Sequence, residues 1–434
     1  MRTLVSPKRD AYSAHMSEPN EPKYAWAILP VLVLCALSGL TGCTSARAVE
    51  PTKRTETAKA TDPAKKLSKK SKHACSTHGH HRCRALVRLN EAGAAFAVGG
   101  PIVGGTDQGL TAKQIEAAYS IPPGGANVTV AVVVAYDDPT AETDLAEYRR
   151  TSALPACTSA TGCFQKVSGQ GGPLPPPPPE ADDWNIETSL DLDAVSAACP
   201  SCKLLLVEAK DDLPDEFLYE AVNVAAHGAQ VVSASWGSDE MPTGAAQWNF
   251  DTKYMSHPGV SMFFASGDEG YGASYPAASP NVWAVGGTTL TFADGRATET
   301  VWNDGANATG AGCSKWEPRP DWQSPASGCS SRLTNDIAAD ADPMSGLRVY
   351  CAGNWMVVGG TSLATPLMAG MFAAMGLAGQ GPSYAYKHAP MFSDVDAGND
   401  VLPGGAAGCA APNVMCTAHP GYDGPSGMGA PRGR

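Results

Sequence analysis

Short uninterrupted apolar runs alternate with stretches of helical spacing through the middle of this chain. Runs at 128–134, 204–207, 231–234, 260–264, 282–285 and 355–358 predict buried strands. A strand covered on both faces shows no polar alternation, so it reads as a continuous apolar run. Residues 186–198 place Ile186, Leu190, Ala194 and Ala197 on one stripe, which predicts a helix. The Ala-, Leu- and Met-rich run 363–375 predicts a second, buried helix. Strand and helix in this alternation predict an α/β fold, a parallel sheet with helices on both faces in a single domain. Residues 173–179 are mostly proline and predict an exposed polyproline II loop ahead of the first helix. No internal repeat is evident.

Composition narrows the class. At 434 residues, 43% hydrophobic, the chain can bury a large core as one domain with appendages. A formal net charge of −12 argues against nonspecific nucleic-acid binding, and no nucleic-acid partner is expected. A mean hydropathy of −0.17 excludes a multi-span membrane protein.

The N-terminus predicts export. The apolar stretch 25–40 is short for a spanning helix and fits the h-region of a signal peptide. It ends in Leu40-Thr41-Gly42-Cys43, which resembles a bacterial lipobox. That resemblance implies cleavage before Cys43 and lipidation of its thiol. A plain secretory signal and an uncleaved anchor are the alternatives, and Met16 is a second candidate start. Residues 1–43 are therefore the expected signal and 44–107 a polar tether with Lys65-Lys66 and Lys69-Lys70 plus a short N-terminal segment. Residues 108–434 form the main domain. The expected location is the outside of a bacterial cell, lipid-anchored to the envelope or secreted, with membrane contact only through the anchor. A monomer is expected.

Thirteen cysteines agree with an oxidising compartment. Close spacings suggest the pairs Cys75–Cys83, Cys157–Cys163, Cys199–Cys202, Cys313–Cys329 and Cys409–Cys416, with Cys351 left over. His73, Cys75, His78, His80, His81 and Cys83 offer a competing zinc reading by ligand type, although their spacing matches no common structural site.

Three segments carry candidate chemistry. Gly359-Gly360-Thr361-Ser362 turns into the helix at 363–375 and puts a serine at a helix N-terminus, beside unpaired N–H groups and the positive end of the dipole. Those surroundings suit a nucleophilic hydroxyl and the oxyanion it generates, although an ordinary N-cap has the same look. Glu187 and Asp191 stand four apart on one helix face. Exposed, they are a solvated acidic face; buried together, at least one pKa rises and a proton sits between them, making a base that can also act as an acid. Asp268, in Ser266-Gly267-Asp268, comes after the run 260–264 and so lies at a strand's carboxyl end, where open α/β sheets place their sites. Its bland alternative is a turn aspartate.

Together these segments resemble the sedolisin family, the serine-carboxyl peptidases, over roughly residues 108–431. Weaker landmarks fall in the same order: Val232-Ser233-Ala234-Ser235-Trp236-Gly237, Tyr275-Pro276-Ala277, Ala284-Val285-Gly286-Gly287-Thr288 and Asn335-Asp336-Ile337-Ala338-Ala339-Asp340. The resemblance implies a subtilisin-like fold and an endopeptidase acting on proteins or peptides. In it Ser362 attacks the scissile carbonyl, Glu187 takes and returns the proton, Asp191 orients Glu187, and a protonated Asp268 donates to the oxyanion. A carboxyl donates only below its pKa, so an optimum below about pH 6 is expected. The resemblance also implies a Ca²⁺ site from the Asp394 and Asp423 side chains and the Val395 and Gly421 carbonyls, in keeping with calcium's preference for hard oxygen. Family members often carry a small residue where His419 stands, and Asp396, Asn399 and Asp400 read as surface positions.

The nearest rival is a subtilisin-type peptidase with a histidine base. Of nine histidines only His227-Gly228 suggests it, and that pair reads as a helix end with Gly228 as a left-handed cap. Asp137-Asp138 occupies a strand end but lacks a histidine to complete a triad. The family's large pro-domain does not fit within residues 44–107, which leaves a further alternative, a catalytically silent surface-tethered binding protein on the same scaffold.

Overall fold

The run at 128–134 forms the strand Thr129–Ala135, buried from Val130 onward. A strand with both sets of side chains buried must be covered on both faces, as in parallel sheets. It stands near the middle of an eight-stranded sheet. The order is Arg296–Val301, Trp283–Ala293, Ser261–Ala265, Val231–Ala234, Thr129–Ala135, Lys203–Ala209 and Phe164–Ser168, with Ile337–Asp340 also paired to Trp283–Ala293. All pairs are parallel except the hairpin of Trp283–Ala293 with Arg296–Val301. The computed structural model describes residues 71–75, 81–98, 108–180, 182–213, 216–326, 328–405, 409 and 413–433. The expectations at 1–43, the tether lysines, Met16, His78 and His80 lie outside them.

The predicted strand at 355–358 exists, as Asn354–Gly359, but not in the central sheet. It hairpins back on Leu347–Cys351 and joins Leu86–Arg88 and Ser71–His73 in a four-stranded antiparallel sheet. The physical reason is the two-residue turn at Ala352 and Gly353, whose φ values of 47° and 82° match the twist of a tight hairpin. An apolar run carries no information about its partner's direction.

The two predicted helices are Trp184–Ala198 and Thr361–Ala374. Every residue of the second is buried, and the two pack against each other and the sheet. Gly370 lets them approach: a Cβ there would lie 2.7 Å from the Ala198 Cβ and 3.2 Å from the Val195 oxygen. The left-handed cap expected at Gly228 is not there. Phe217–Gly228 ends in extended Ala229, and Gly228 is instead needed for packing, since a Cβ would meet Leu205 Cδ2 at 2.6 Å. Residues 173–179 are coil and mostly exposed, and the Pro176 oxygen accepts from the Asp137 N–H.

All five cysteine pairs inferred from spacing are disulfides, and Cys351 is free and buried. The zinc reading of 73–83 therefore loses its two thiolates. A buried bidentate pair ties the strand Ser331–Thr334 to the strand Ile337–Asp340 across the short connection between them: Arg332 Nη1 and Nη2 donate to Asp336 Oδ1 and Oδ2 at 3.0 and 2.7 Å. Asp336 also accepts from the Ala284 N–H and the Tyr386 hydroxyl. Asp336→Ala leaves a fully buried guanidinium uncompensated, so it should cost about 3–5 kcal/mol. Urea unfolding monitored by circular dichroism measures this, and a loss under about 1 kcal/mol would contradict it.

Candidate active site

Glu187 and Asp191 project from one face of Trp184–Ala198, and both are fully buried. Ser362 stands in the first turn of Thr361–Ala374, behind Gly360 as N-cap at φ 91°. The packing of these helices brings the two segments together: Ser362 Oγ–H donates to Glu187 Oε2 at 2.9 Å. Its alternative acceptor is the Ser235 carbonyl, at 3.2 Å. Ser235 Oγ in turn donates to Asp191 Oδ1 at 2.7 Å and lies 3.3 Å from the Ser362 oxygen. That carbonyl is free of the helix ladder because Pro366, four residues on, has no N–H.

Asp268 reaches the same place from the end of Ser261–Ala265. Its Oδ1 accepts from the Thr361 N–H at 2.8 Å and from the Thr361 hydroxyl at 2.9 Å. Its Oδ2 is buried and has no hydrogen-bond partner. Gly360 explains the close approach, since a Cβ at that position would sit 3.1 Å from Asp268 Oδ2.

The electrostatics are a consequence of burial. Burial, and then the charge of Asp191, push Glu187 well above the usual carboxylate range. Burial does the same to Asp191, against the opposing hydrogen bonds of Ser235 and Glu187. Glu187 Oε1 and Asp191 Oδ2 are both buried without another partner. Two such oxygens repel when both groups are charged and become partners when one proton lies between them. Burial and the neighbouring charge of Glu269 push Asp268 up to about 7, despite Arg84. At mildly acidic pH this site therefore holds a hydroxyl, a proton-sharing carboxyl pair and a carboxylic acid with a hydrogen to donate.

The histidine base of the subtilisin-type reading is not found here. His227 Nδ1 is 2.6 Å from the Asn223 oxygen, near His257. Asp138 receives the Thr140 N–H and hydroxyl at the start of Ala141–Thr151, and Asp137 pairs with Lys166. Ser235 and Thr361 act on the site and carried no assigned role in the sequence. Both lie inside recognised motifs, but only the fold shows which groups their hydroxyls reach.

The four residues of the expected calcium site also converge. Phe392–Ser393 pairs with Ala430–Pro431 and brings their loops side by side. Asp394 Oδ2 accepts from the Gly421 N–H at 2.7 Å, and the Ser426 hydroxyl lies 3.3 Å from the Val395 oxygen and 2.8 Å from Asp423 Oδ1. The His419 N–H donates to Asp423 Oδ2 at 3.0 Å, while its ring Nδ1 stands 2.8 Å from the Pro420 oxygen. Asp400 is a correction: it is fully buried rather than on the surface, and neither carboxyl oxygen has a hydrogen-bond partner. Burial pushes its carboxyl well above the usual range, and the charge of Asp423 adds to that push. A hard-oxygen set beside a buried carboxyl whose oxygens have no hydrogen-bond partner fits a cation such as Ca²⁺. Among the described residues, the only close cluster of three His, Cys, Asp or Glu ligands is Cys75, Cys83 and Glu187, and its two sulfurs are bonded to each other. No helix among the described residues is long and apolar enough to cross a membrane.

The sequence profile of the subtilase family matches residues 182–380. Kumamolisin from Bacillus sp. (strain MN-32) is 31% identical over 366 residues, covering 74% of this chain and 62% of kumamolisin. Sedolisin from Pseudomonas sp. (strain 101) is 31% identical over 332 residues, covering 68% of this chain and 54% of sedolisin. The chain thus spans only about half to three fifths of the lengths of these relatives. The solved structure of Pseudomonas sedolisin, a serine-carboxyl proteinase complexed with pseudo-iodotyrostatin, superposes with a TM-score of 0.64 at 27% identity. It covers 75% of this chain and 96% of that one.

The raised carboxyls set a stability profile. Asp268 and Glu317 are pushed up to about 7 and Glu208 to about 8, each chiefly by burial. In the unfolded chain such groups lose their protons near pH 4. Between these limits the folded state binds more protons, so its stability falls as pH rises. Glu269 works oppositely, because Arg84 overcomes the upward push of burial and holds it low. The melting temperature from calorimetry should be highest near pH 4 and fall toward pH 8; a rise across that interval would contradict the assignment.

Proposed function

This chain belongs to the sedolisin family of serine-carboxyl peptidases, and on that premise we propose that it is an acid-active endopeptidase working through Ser362, Glu187, Asp191 and Asp268. What carries the reading is the buried 2.9 Å hydrogen bond from Ser362 Oγ to Glu187 Oε2, with the unpartnered Asp268 Oδ2 nearby. Ser362 Oγ attacks the scissile carbonyl carbon while Glu187 accepts its proton. Asp191, held by Ser235, shares the proton and keeps Glu187 in position. Asp268, protonated and anchored by Thr361, donates to the oxyanion together with the Ser362 N–H. Glu187 then protonates the departing amine, and water attacking the acyl-serine repeats the sequence in reverse. The substrates are proteins or peptides, and the site of action lies outside the cell.

Asp394 and Asp423, with the Val395 and Gly421 carbonyls, are proposed to hold Ca²⁺. Its role there is to tie the loop after Phe392–Ser393 to the loop before Ala430–Pro431, neutralising carboxylates whose burial is otherwise costly.

Two measurements test these proposals. With a denatured protein as substrate, activity should be greatest in acid and fall as pH rises through about 7, where Asp268 loses its proton. Ser362→Ala and Glu187→Gln should each lower the rate by at least about a thousandfold, and Asp268→Ala by about a hundred- to a thousandfold. Full activity in Glu187→Gln would sink the mechanism. Separately, EGTA should lower the melting temperature by several degrees and added Ca²⁺ should restore it, while Asp423→Asn should abolish the response. A melting temperature indifferent to EGTA would remove the calcium assignment and leave the peptidase one standing.

A further inference from the structure

Two serines exchange hydrogen bonds beside the carboxyl pair, and each hydroxyl has a choice of acceptor. Ser362 Oγ–H can donate to Glu187 Oε2 at 2.9 Å or to the Ser235 oxygen at 3.2 Å. Ser235 Oγ–H can donate to Asp191 Oδ1 at 2.7 Å or to the Ser362 oxygen at 3.3 Å. Each hydroxyl thus stands between one carboxyl of the pair and the backbone oxygen of the other serine. Ser235 reaches this place because it follows the strand Val231–Ala234, where the chain leaves the central sheet for Trp236–Asp239.

These acceptors outnumber the hydrogens. Glu187, Asp191, Ser235 and Ser362 are all fully buried, so bulk water does not make up a shortfall. The Ser235 oxygen is also supplied by the Arg84 N–H at 3.1 Å. The Ser362 oxygen has no helical donor, because Pro366 lacks an N–H, and it depends on the Ser235 hydroxyl. Other charged groups act elsewhere. Asp268, after Ser261–Ala265, acts on Glu187, while Glu269 and Arg84 act on Asp268. Asp193 of the same helix faces Asp144 and Arg149 of Ala141–Thr151. Thr361–Ala374 and Thr129–Ala135 carry no charged residue. Lys113 and Glu116 of Ala112–Tyr119 are exposed, and Arg348 of Leu347–Cys351 lies over the Trp355 ring.

We propose that Ser235 is a positioning residue whose hydroxyl hydrogen swings between Asp191 and the Ser362 oxygen, and that this swing, kept open by Pro366, sets the acidity at which the pair takes a second proton and stops acting as a base. This rests on the peptidase reading of the site. With one proton on the pair, lying between Glu187 Oε1 and Asp191 Oδ2, the charged Asp191 Oδ1 claims the Ser235 hydrogen. The Ser362 oxygen is then left short. In stronger acid a proton from solvent binds Asp191 Oδ1, which becomes the donor to Ser235 Oγ. The Ser235 hydrogen stays on its own oxygen and turns to the Ser362 oxygen, so every group is paired. A donor to charged Asp191 favours the charged form, so losing it lets the second proton bind at higher pH. A new N–H at position 366 would compete for the Ser362 oxygen, oppose the swing and delay that proton to lower pH.

The test follows kcat against pH for one peptide substrate with the full chain. Ser235→Ala should move the acid limb up by about one pH unit, the scale of one charge-assisted hydrogen bond. Pro366→Ala should move it down by about half a unit, the scale of a neutral one. In the double variant Pro366→Ala should add no shift, because the hydroxyl it acts through is gone. Ser235→Thr keeps the hydroxyl and should keep the wild-type limb. The alkaline limb, governed by Asp268 at about 7, should stay in place throughout. An acid limb unmoved by Ser235→Ala, or shifts of the same sign in the two single variants, would overturn this inference and leave the peptidase reading intact. So would a Pro366→Ala shift that persists without the Ser235 hydroxyl. Inactivity of Ser235→Ala at every pH would overturn it too, since a tuning residue leaves the nucleophile its base. No hydrolysis by wild type at any pH would overturn the peptidase reading and this inference together.

Discussion

The site depends on how closely two buried helices approach. Glu187 and Ser362 lie 175 positions apart in the chain, and the packing of Trp184–Ala198 on Thr361–Ala374 brings their oxygens within 2.9 Å. Gly370 removes the one side chain that would separate the helices at Ala198. Gly360 does the same at the other end, where the backbone must turn with positive φ and leave room for Asp268. A close-packed interior transmits such spacings without slack, so the geometry of the chemistry is a consequence of core packing.

The same burial decides the chemistry. A carboxylate taken out of water without a cation stays neutral by holding its proton, and three such groups surround Ser362. Their shared desolvation keeps protons on carboxyls that water would ionise near pH 4. Elsewhere in the fold Glu317 and Asp340 are buried in the same manner. Buried carboxyls that hold their protons therefore recur in the fold, and the cluster at Ser362 gathers three of them. Arg332 and Asp336 show the other solution, in which a buried charge is kept by a bidentate partner.

Much of the framework is legible along the chain because it rests on short-range rules. Unbroken apolar runs mark strands covered on both faces, the stripe at 186–198 marks a helix, and close cysteine spacings mark five disulfides. The places where local pattern and fold part company share one cause. Asn354–Gly359 has the composition of a central strand but pairs antiparallel elsewhere, because its partner is set by a turn and not by its own residues. Gly228 looks like a cap yet is required by Leu205, a neighbour from the strand Lys203–Ala209. Asp400 looks like a surface residue yet is enclosed by segments distant in sequence.

The α/β class, the helices and most strands are written along the chain, as are the family resemblance and the candidate residues Ser362, Glu187, Asp191 and Asp268. Each lies in local periodicity or a contiguous motif. Folding in three dimensions was needed to establish that Ser235 and Thr361 hold the acids in place, that no histidine among the described residues bonds to Ser362, and that Arg84 and Glu269 meet. Hydrogen bonds and desolvation act over a few ångströms in space, and the groups concerned lie up to 185 residues apart along the chain.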